Sequence, residues 1–463
     1  MPSAAAAALP IVEPRQLDLY DVPGPRYTSY PTAPEWSDTF TPADYAAALR
    51  TARLTEAPLS LYVHIPFCWS MCRYCGCNVV VTRDPGRADA YLDVVEQEVA
   101  LVAAQLGRRR EVAQLHFGGG TPTFLDERQF ARLYGAITRH FTLAAGAEST
   151  VEINPVVTSR SQISALRALG VDRLSMGVQD FDPLVQETIG RRQSPDETRA
   201  LVNYVRGLGF ESVNFDLIYG LPHQTPTRWQ KTLETVIDIA PDRLAVYSFA
   251  YVPGFAPHQR RLPADALPLG IDKLELFRQA WGAFVEAGYV PVGMDHFAAP
   301  GDRLARAAHD GTLGRNFQGY TVRRAPETVA FGASAISDIG GVFAQNHRRL
   351  SHYREAVEAG RLPVGRGIAL TAEDERRRAV ITELMCNLRV DLGPGASDAY
   401  RVELAELAPL AADGLVVVTP SAEGRVSVAV TGKGRMFLRN VAMPFDARLR
   451  ARGADRPGYS RTV

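Results

Sequence analysis

Leu59-Ser60-Leu61-Tyr62-Val63-His64-Ile65-Pro66-Phe67 runs directly into Cys68-Trp69-Ser70-Met71-Cys72-Arg73-Tyr74-Cys75-Gly76-Cys77. The apolar run predicts a strand, and the loop that follows it holds four of the chain's five cysteines. Outward from it, apolar runs at 112–117, 150–153, 173–178, 212–219 and 244–250 read as further strands. Amphipathic stretches at 88–106, 127–141, 160–169, 196–208 and 227–239 read as the helices between them. Strands joined by helix-length crossovers imply a parallel sheet. Six or more such units, roughly 30 to 40 residues apart, predict an α/β chain built as a partial or closed βα (TIM-like) barrel. The unusual polar motifs fall at or just after strand C-termini, where such barrels carry their chemistry.

The 463 residues hold 51 basic and 51 acidic side chains, which excludes a strongly basic nucleic-acid binder and an acidic disordered tail. No stretch approaches the roughly 18 unbroken apolar residues of a membrane helix. The opening Ala4–Ala8 run lacks the basic flank of a signal peptide. Four clustered cysteines with only Cys386 elsewhere do not make a disulfide framework. They point to metal in a reducing compartment, so the expected location is cytoplasmic.

Residues 1 to about 14 are expected to be disordered, and 20–36 to be an extended aromatic and proline-rich segment lying on another part of the molecule. The expected division is an N-terminal arm over 1–50, a βα barrel over 51–365 and a small, mainly helical, winged-helix-like cap over 366–463. In the cap, helical patterns at 373–388 and 399–412 precede two short strands at 414–419 and 425–431. Residues 433–463 carry eight Arg/Lys against two Asp. Without a cluster on a recognition helix, that excess favours a lid over the barrel mouth rather than a nucleic-acid module.

Cys68, Cys72 and Cys75 form C-x3-C-x2-C. Three thiolates on one tight loop can hold three irons of a [4Fe–4S] cluster and leave the fourth open to a ligand. Zinc with Cys77 as fourth ligand is the competing reading, but zinc modules usually show two separated ligand pairs. After the second strand comes Gly118-Gly119-Gly120-Thr121-Pro122-Thr123, whose glycines allow close approach of the backbone to a small polar ligand, or simply a tight turn. It matches neither phosphate-loop spacing. Glu152, Gln179 and Asp216 place polar groups among apolar residues on three different strands. Each alone could be a satisfied core group; three on one barrel point to a site.

The cysteine loop resembles that of the radical S-adenosylmethionine (SAM) enzymes. Nearly the whole chain resembles the oxygen-independent coproporphyrinogen III oxidase (coproporphyrinogen dehydrogenase) family. The resemblance rests on YTSYPT (27–32), VHIPF (63–67), the cysteine loop with Cys77, GGGTPT (118–123), LSMGVQDF (174–181), DLIYGLP (216–222), GMDHFA (293–298), NFQGYT (316–321) and SAIS (334–337). Related haem chaperones share the core but usually lack the YTSYPT arm and Cys77; a radical methyltransferase is a further alternative.

The resemblance implies a [4Fe–4S] cluster held by Cys68, Cys72 and Cys75, with Cys77 outside the ligand set, and two SAM molecules in one site. The SAM contacts it implies are Tyr62, Tyr74, Gly119, Gly120, Thr121, Glu152, Gln179, Arg191, Asp216, Ala250 and Ile336. It implies oxidative decarboxylation of two propionates of coproporphyrinogen III to vinyl groups, giving protoporphyrinogen IX. The partner expected is a low-potential electron donor such as flavodoxin or ferredoxin, with no nucleic acid and no membrane, and the chain is expected to be a monomer. A substrate with four propionates needs Arg or amide donors and aromatic walls. Arg26, Tyr27 and Tyr30 of the arm and Asn316, Gln318 and Tyr320 of NFQGYT are the candidates, or these segments only pack the barrel ends.

Overall fold

The computed structural model describes residues 9–322, 325–453 and 459–462. The cysteine loop leaves strand β1, Leu59–Ile65, whose side chains are buried on both faces except at Tyr62. Five strands follow in order: β2 (Glu111–Gly119), β3 (Thr142–Ile153), β4 (Arg173–Gln179), β5 (Ser212–Tyr219) and β6 (Arg243–Ser248). Each lies parallel to the one before it. Burial on both faces is why these segments read as continuous apolar runs.

The crossover helices begin where the sequence supplies a cap. Asp126, Ser159 and Ser194 each accept from the backbone N–H three residues on, and Gln129, Gln162 and Glu197 reach back to close the box. The helices these open are Glu127–Thr138, Arg160–Ala168 and Pro195–Gly207, within a few residues of the amphipathic stretches. A seven-residue helix, Pro183–Ile189, is too short to show a period; Asp182 caps it and left-handed Gly190 ends it.

After residue 286 the sheet grows at both edges, which the local pattern does not announce. β7 (Val290–Val292) and β8 (His296–Ala298) extend it antiparallel beyond β6. β9 (Glu327–Phe331) returns across the molecule to lie parallel to β1 on its free side, making seven parallel strands. β10 (Ile336–Ile339), β11 (Val342–Asn346) and β12 (Val364–Ala369) continue antiparallel from there. The twelve strands run β12-β11-β10-β9-β1-β2-β3-β4-β5-β6-β8-β7. Because the first and last parallel strands take antiparallel neighbours instead of each other, the barrel is partial.

Beyond the sheet, helices Ala372–Asn387 and Arg401–Ala412 lie beside a three-stranded antiparallel sheet of Arg389–Asp391, Val426–Val430 and Val416–Pro420. The arm lies on the barrel as an extended segment, with Tyr27, Tyr30 and Trp36 buried. Disorder over residues 1–14 does not hold where the chain is described: Leu9 and Val12 are buried in the core, and helix Pro14–Tyr20 follows. Residues 1–8 lie outside the described residues. Four arginines of the basic run after Lys433 are paired from elsewhere: Arg448 with Asp374, Arg450 with Glu403 and Glu406, Arg452 with Glu35 and Arg461 with Asp21. Among the described residues no helix is long and apolar enough to cross a membrane.

Candidate active site

β1 delivers the cysteine loop, and its polar residues anchor the loop's far end. The His64 imidazole lies between the Tyr62 hydroxyl at 3.1 Å and the Asn78 carbonyl at 3.0 Å. Since a carbonyl only accepts, Nε2 donates to Asn78 and Nδ1 accepts from Tyr62. Burial lowers the His64 pKa, which keeps the ring neutral for that role. From below, the Arg73 N–H donates to the Ile189 carbonyl, and from the side His258 Nε2 donates to the Cys75 carbonyl at 2.7 Å.

The loop's thiols face a cavity of about 250 Å³ at the C-terminal ends of the parallel strands. Cys68, Cys72 and Cys75 line it, with Tyr74, Gly119, Gly120, Thr121, Glu152, Gln179, Arg191 and Asp216. Eight of the eleven SAM contacts expected from the sequence therefore meet the three expected cluster ligands at one place. Tyr62 does not reach the cavity wall, because its ring stacks on His116 and its hydroxyl is held by His64. Ala250 and Ile336 also lie off this wall: the Ala250 carbonyl accepts from Gln259, and Ile336 begins β10 opposite Gln345 of β11.

The glycine triplet is required by the protein itself as well as by any ligand. A Cβ at Gly118 would meet the Glu152 carboxylate at 2.7 Å, and one at Gly120 would meet the Phe67 carbonyl at 2.7 Å. Gly119 has φ +119°, and its N–H donates to Glu152 Oε2 at 3.2 Å. So the second strand's exit presses against the first strand's exit, and this contact sets where the cysteine loop starts.

Charge is arranged with care around the thiols. Arg191, delivered by the short helix that ends at Gly190, approaches Cys72 Sγ to 3.9 Å and donates to the Gly177 carbonyl. Burial works against its charge, but Tyr74 and the Cys72 and Cys68 thiols outweigh that and hold it cationic. Its Nε is buried with no partner. Burial pushes the Cys68 thiol up to about 11, whereas hydrogen bonds from Cys77 pull Cys75 down to about 7.

These residues fit an iron–sulfur cluster. Among the described residues no three His, Cys, Asp or Glu side chains close around a single ion. Instead three thiols are spaced around one cavity wall, as the corners of a polynuclear cluster require, beside a cation that offsets thiolate charge.

A second cavity, about 120 Å³, lies inside the barrel and shares Glu152, Ser175, Asp216 and Tyr247 as a common wall with the first. Glu152 accepts from His116 Nε2 at 2.9 Å. Asp216 accepts from Ser175 at 3.1 Å and Asn214 at 2.9 Å; burial and the nearby Glu152 charge raise its pKa to about 6. Asn316, Gln318 and Tyr320 line this inner cavity, as three of the six substrate candidates. The others are placed differently. Arg26 pairs with Asp295 at 3.0 Å, and Tyr27 donates to Asp446 at 3.1 Å. Tyr27 and Tyr30 share a separate cavity with Asn316. The Tyr320 hydroxyl is occupied by Met294, Arg315 and Met385, leaving only its ring for the cavity.

Sequence reasoning missed His116, Ser175, Asn214, Tyr247 and His296 on these walls. In the sequence each is one more polar or aromatic residue in a strand, and its partner lies on a neighbouring strand. Only the inward alternation of the strands could have signalled them.

Residues 62–236 match the Radical SAM superfamily. The chain is 44% identical to the oxygen-independent coproporphyrinogen III oxidase of Escherichia coli K12, over 96% of this chain and 97% of the relative. It is 43% identical to that of Pseudomonas aeruginosa, again over 96% of this chain and 97% of the relative. Among solved structures it is similar to coproporphyrinogen III oxidase (HemN) from Escherichia coli, described as a radical SAM enzyme. The TM-score is 0.87 at 44% identity, covering 92% of this chain and 98% of that one.

Proposed function

Because the chain belongs to the oxygen-independent coproporphyrinogen III oxidase family of radical SAM enzymes, we propose that it converts two propionates of coproporphyrinogen III to vinyl groups in anaerobic haem biosynthesis, giving protoporphyrinogen IX. Its cofactors are a [4Fe–4S] cluster and SAM. When bound, they supply a 5′-deoxyadenosyl radical, which can take hydrogen from a propionate β-carbon that no side-chain base can deprotonate.

The observation that carries this reading is the meeting of three thiols, Gly119, Gly120 and Thr121, and the polar strand ends on one cavity. Cys68, Cys72 and Cys75 would hold the cluster, and Arg191 would balance its thiolate charge. The Gly119–Thr121 backbone and Glu152 offer donors and an acceptor to the amino and ribose groups of SAM, with Gln179 and Asp216 completing the polar wall. The protein's part is to place the reacting carbon and exclude water. Asn316 and Gln318 supply amide groups suited to a substrate carboxylate from the inner cavity. Arg26, committed to Asp295, serves the substrate only by exchanging that partner. The arm, barrel and C-terminal segments would act as three units, the last as a cap, in a cytoplasmic monomer reduced by a low-potential carrier of flavodoxin or ferredoxin type.

The test is anaerobic turnover of cluster-loaded protein with SAM, coproporphyrinogen III, dithionite and a cell extract as electron acceptor. Protoporphyrin, after oxidation, and 5′-deoxyadenosine are expected together, and both are absent with Cys68→Ser. Deoxyadenosine without vinyl product would assign the radical to another substrate.

A further inference from the structure

Charge is even over the whole chain but uneven around the cysteine loop. Residues 68–79 contain one arginine, Arg73, and no acid. Three of the segments that touch this loop supply arginines from distant parts of the chain. The first runs from 187 to 192, holding Arg73 through the Ile189 and Thr188 carbonyls. The second is 255–261, whose His258 and Gln259 reach the Cys75 and Tyr74 carbonyls. The third is 347–349, where the Arg348 carbonyl accepts from Asn78 at 3.1 Å. Together they carry Arg191, Arg192, Arg260, Arg261, Arg348 and Arg349 against one carboxylate, Glu187.

Some exposed arginines are paired, as at Arg128 and Arg376, and, among the described residues, others such as Arg83, Arg108 and Arg401 stand singly elsewhere on the surface. Here Arg192, Arg260, Arg261, Arg348 and Arg349 are exposed and, among the described residues, meet no carboxylate. Between them the Phe255 ring is 74% exposed under the Arg348 guanidinium, with centroid 5.8 Å away. Gly76 and Cys77, at the end of the loop, are exposed, and Cys77 also lines the thiol cavity. An apolar centre within a one-signed rim is the make-up of a transient protein-docking surface, not of a merely solvated one.

We propose that this face docks an acidic, low-potential one-electron carrier protein. The inference rests on the function proposed above, in which each SAM cleavage takes one electron. The carrier is oxidised by one electron per encounter, with no group transferred. Unpaired cations at the rim raise the encounter rate and fix orientation, and the short path from surface to thiols lies through the end of the loop.

The test uses cluster-loaded full-length protein carrying Arg260→Glu with Arg261→Glu, or Arg348→Glu with Arg349→Glu. Two reductants are compared, purified flavodoxin hydroquinone and saturating dithionite, and binding of oxidised flavodoxin is titrated at low and high salt. Expected is a fall of at least tenfold in kcat/KM for flavodoxin, with binding weakened by a similar factor at low salt. Dithionite-driven turnover and the KM for coproporphyrinogen should be unchanged. Flavodoxin kcat/KM within twofold of the parent in both variants overturns the proposal. So does a raised coproporphyrinogen KM under dithionite, which would assign the face to the anionic substrate. If the parent makes no vinyl product with dithionite, the function reading fails, while the flavodoxin titration still decides the surface.

Discussion

Arginine does opposite work in two regions of this molecule. In the C-terminal segment many guanidiniums are already answered: Arg377 meets Glu403 at 2.9 Å, and Arg448 meets Asp374 at 2.8 Å. Around the cysteine loop the exposed arginines are left open. The first arrangement holds helices together and is finished when the chain folds. The second is complete only when something else arrives. Arginine content therefore says nothing about partners until pairing is known, and a neutral composition concealed a basic face.

The largest effect that would sharpen this contrast is at the cluster ligands. Cys68→Ser, Cys72→Ser and Cys75→Ser should each abolish cluster absorbance and turnover, since a hydroxyl is a poor iron ligand beside thiolates. Cys77→Ser should retain both, and a cluster lost only in that variant would break the ligand assignment. Next, Arg377→Met with Arg450→Met leaves Glu403 buried without either of its cations, and urea denaturation should show a loss of about 3–5 kcal/mol. Retained stability there would mean the cap does not depend on its pairs.

A smaller effect concerns Asp216. Its folded pKa of about 6 lies above the ordinary value of 3.8, so the fold favours the protonated acid. That contribution is full below pH 3.8 and is lost as pH rises through 6. Asp216→Asn should therefore make the cluster-free protein more stable by roughly 2 kcal/mol above pH 6, with the gain closing towards pH 4, while turnover is lost. Asn can keep both hydrogen bonds, to Asn214 and Ser175. The smallest effect completes the contrast: Arg260→Glu with Arg261→Glu should change stability by less than about 0.5 kcal/mol.

The sequence made the central strands legible because burial on both faces leaves long apolar runs, and the helices legible because their caps are local. The sheet edges were not legible. β9 finds its place only by pairing with β1, more than 260 positions earlier, and no local period encodes that partner. At the site, residues inside dense motifs were readable as a group: the three cysteines, Gly119, Gly120 and Arg191 line one cavity. His116 and Tyr247 were not, because a strand aromatic and a strand imidazole look like core until the opposing wall is known. Tyr62 shows the reverse, a residue of the right motif whose ring and hydroxyl are taken up by histidines.

Arg439 has a consequence for the order in which the molecule is made. Its buried side chain donates to the Gly24 and Pro25 carbonyls on one side and to the Ser460 and Arg461 carbonyls on the other. Thr462 and Val22 add a backbone bond between the same two segments. During synthesis the arm is made first and its clamp last, so the arm cannot dock until the far segment has left the ribosome. In hydrogen-exchange terms, the amides of 22–26 and 459–462 should open as one unit, at a free energy below that of the barrel strands.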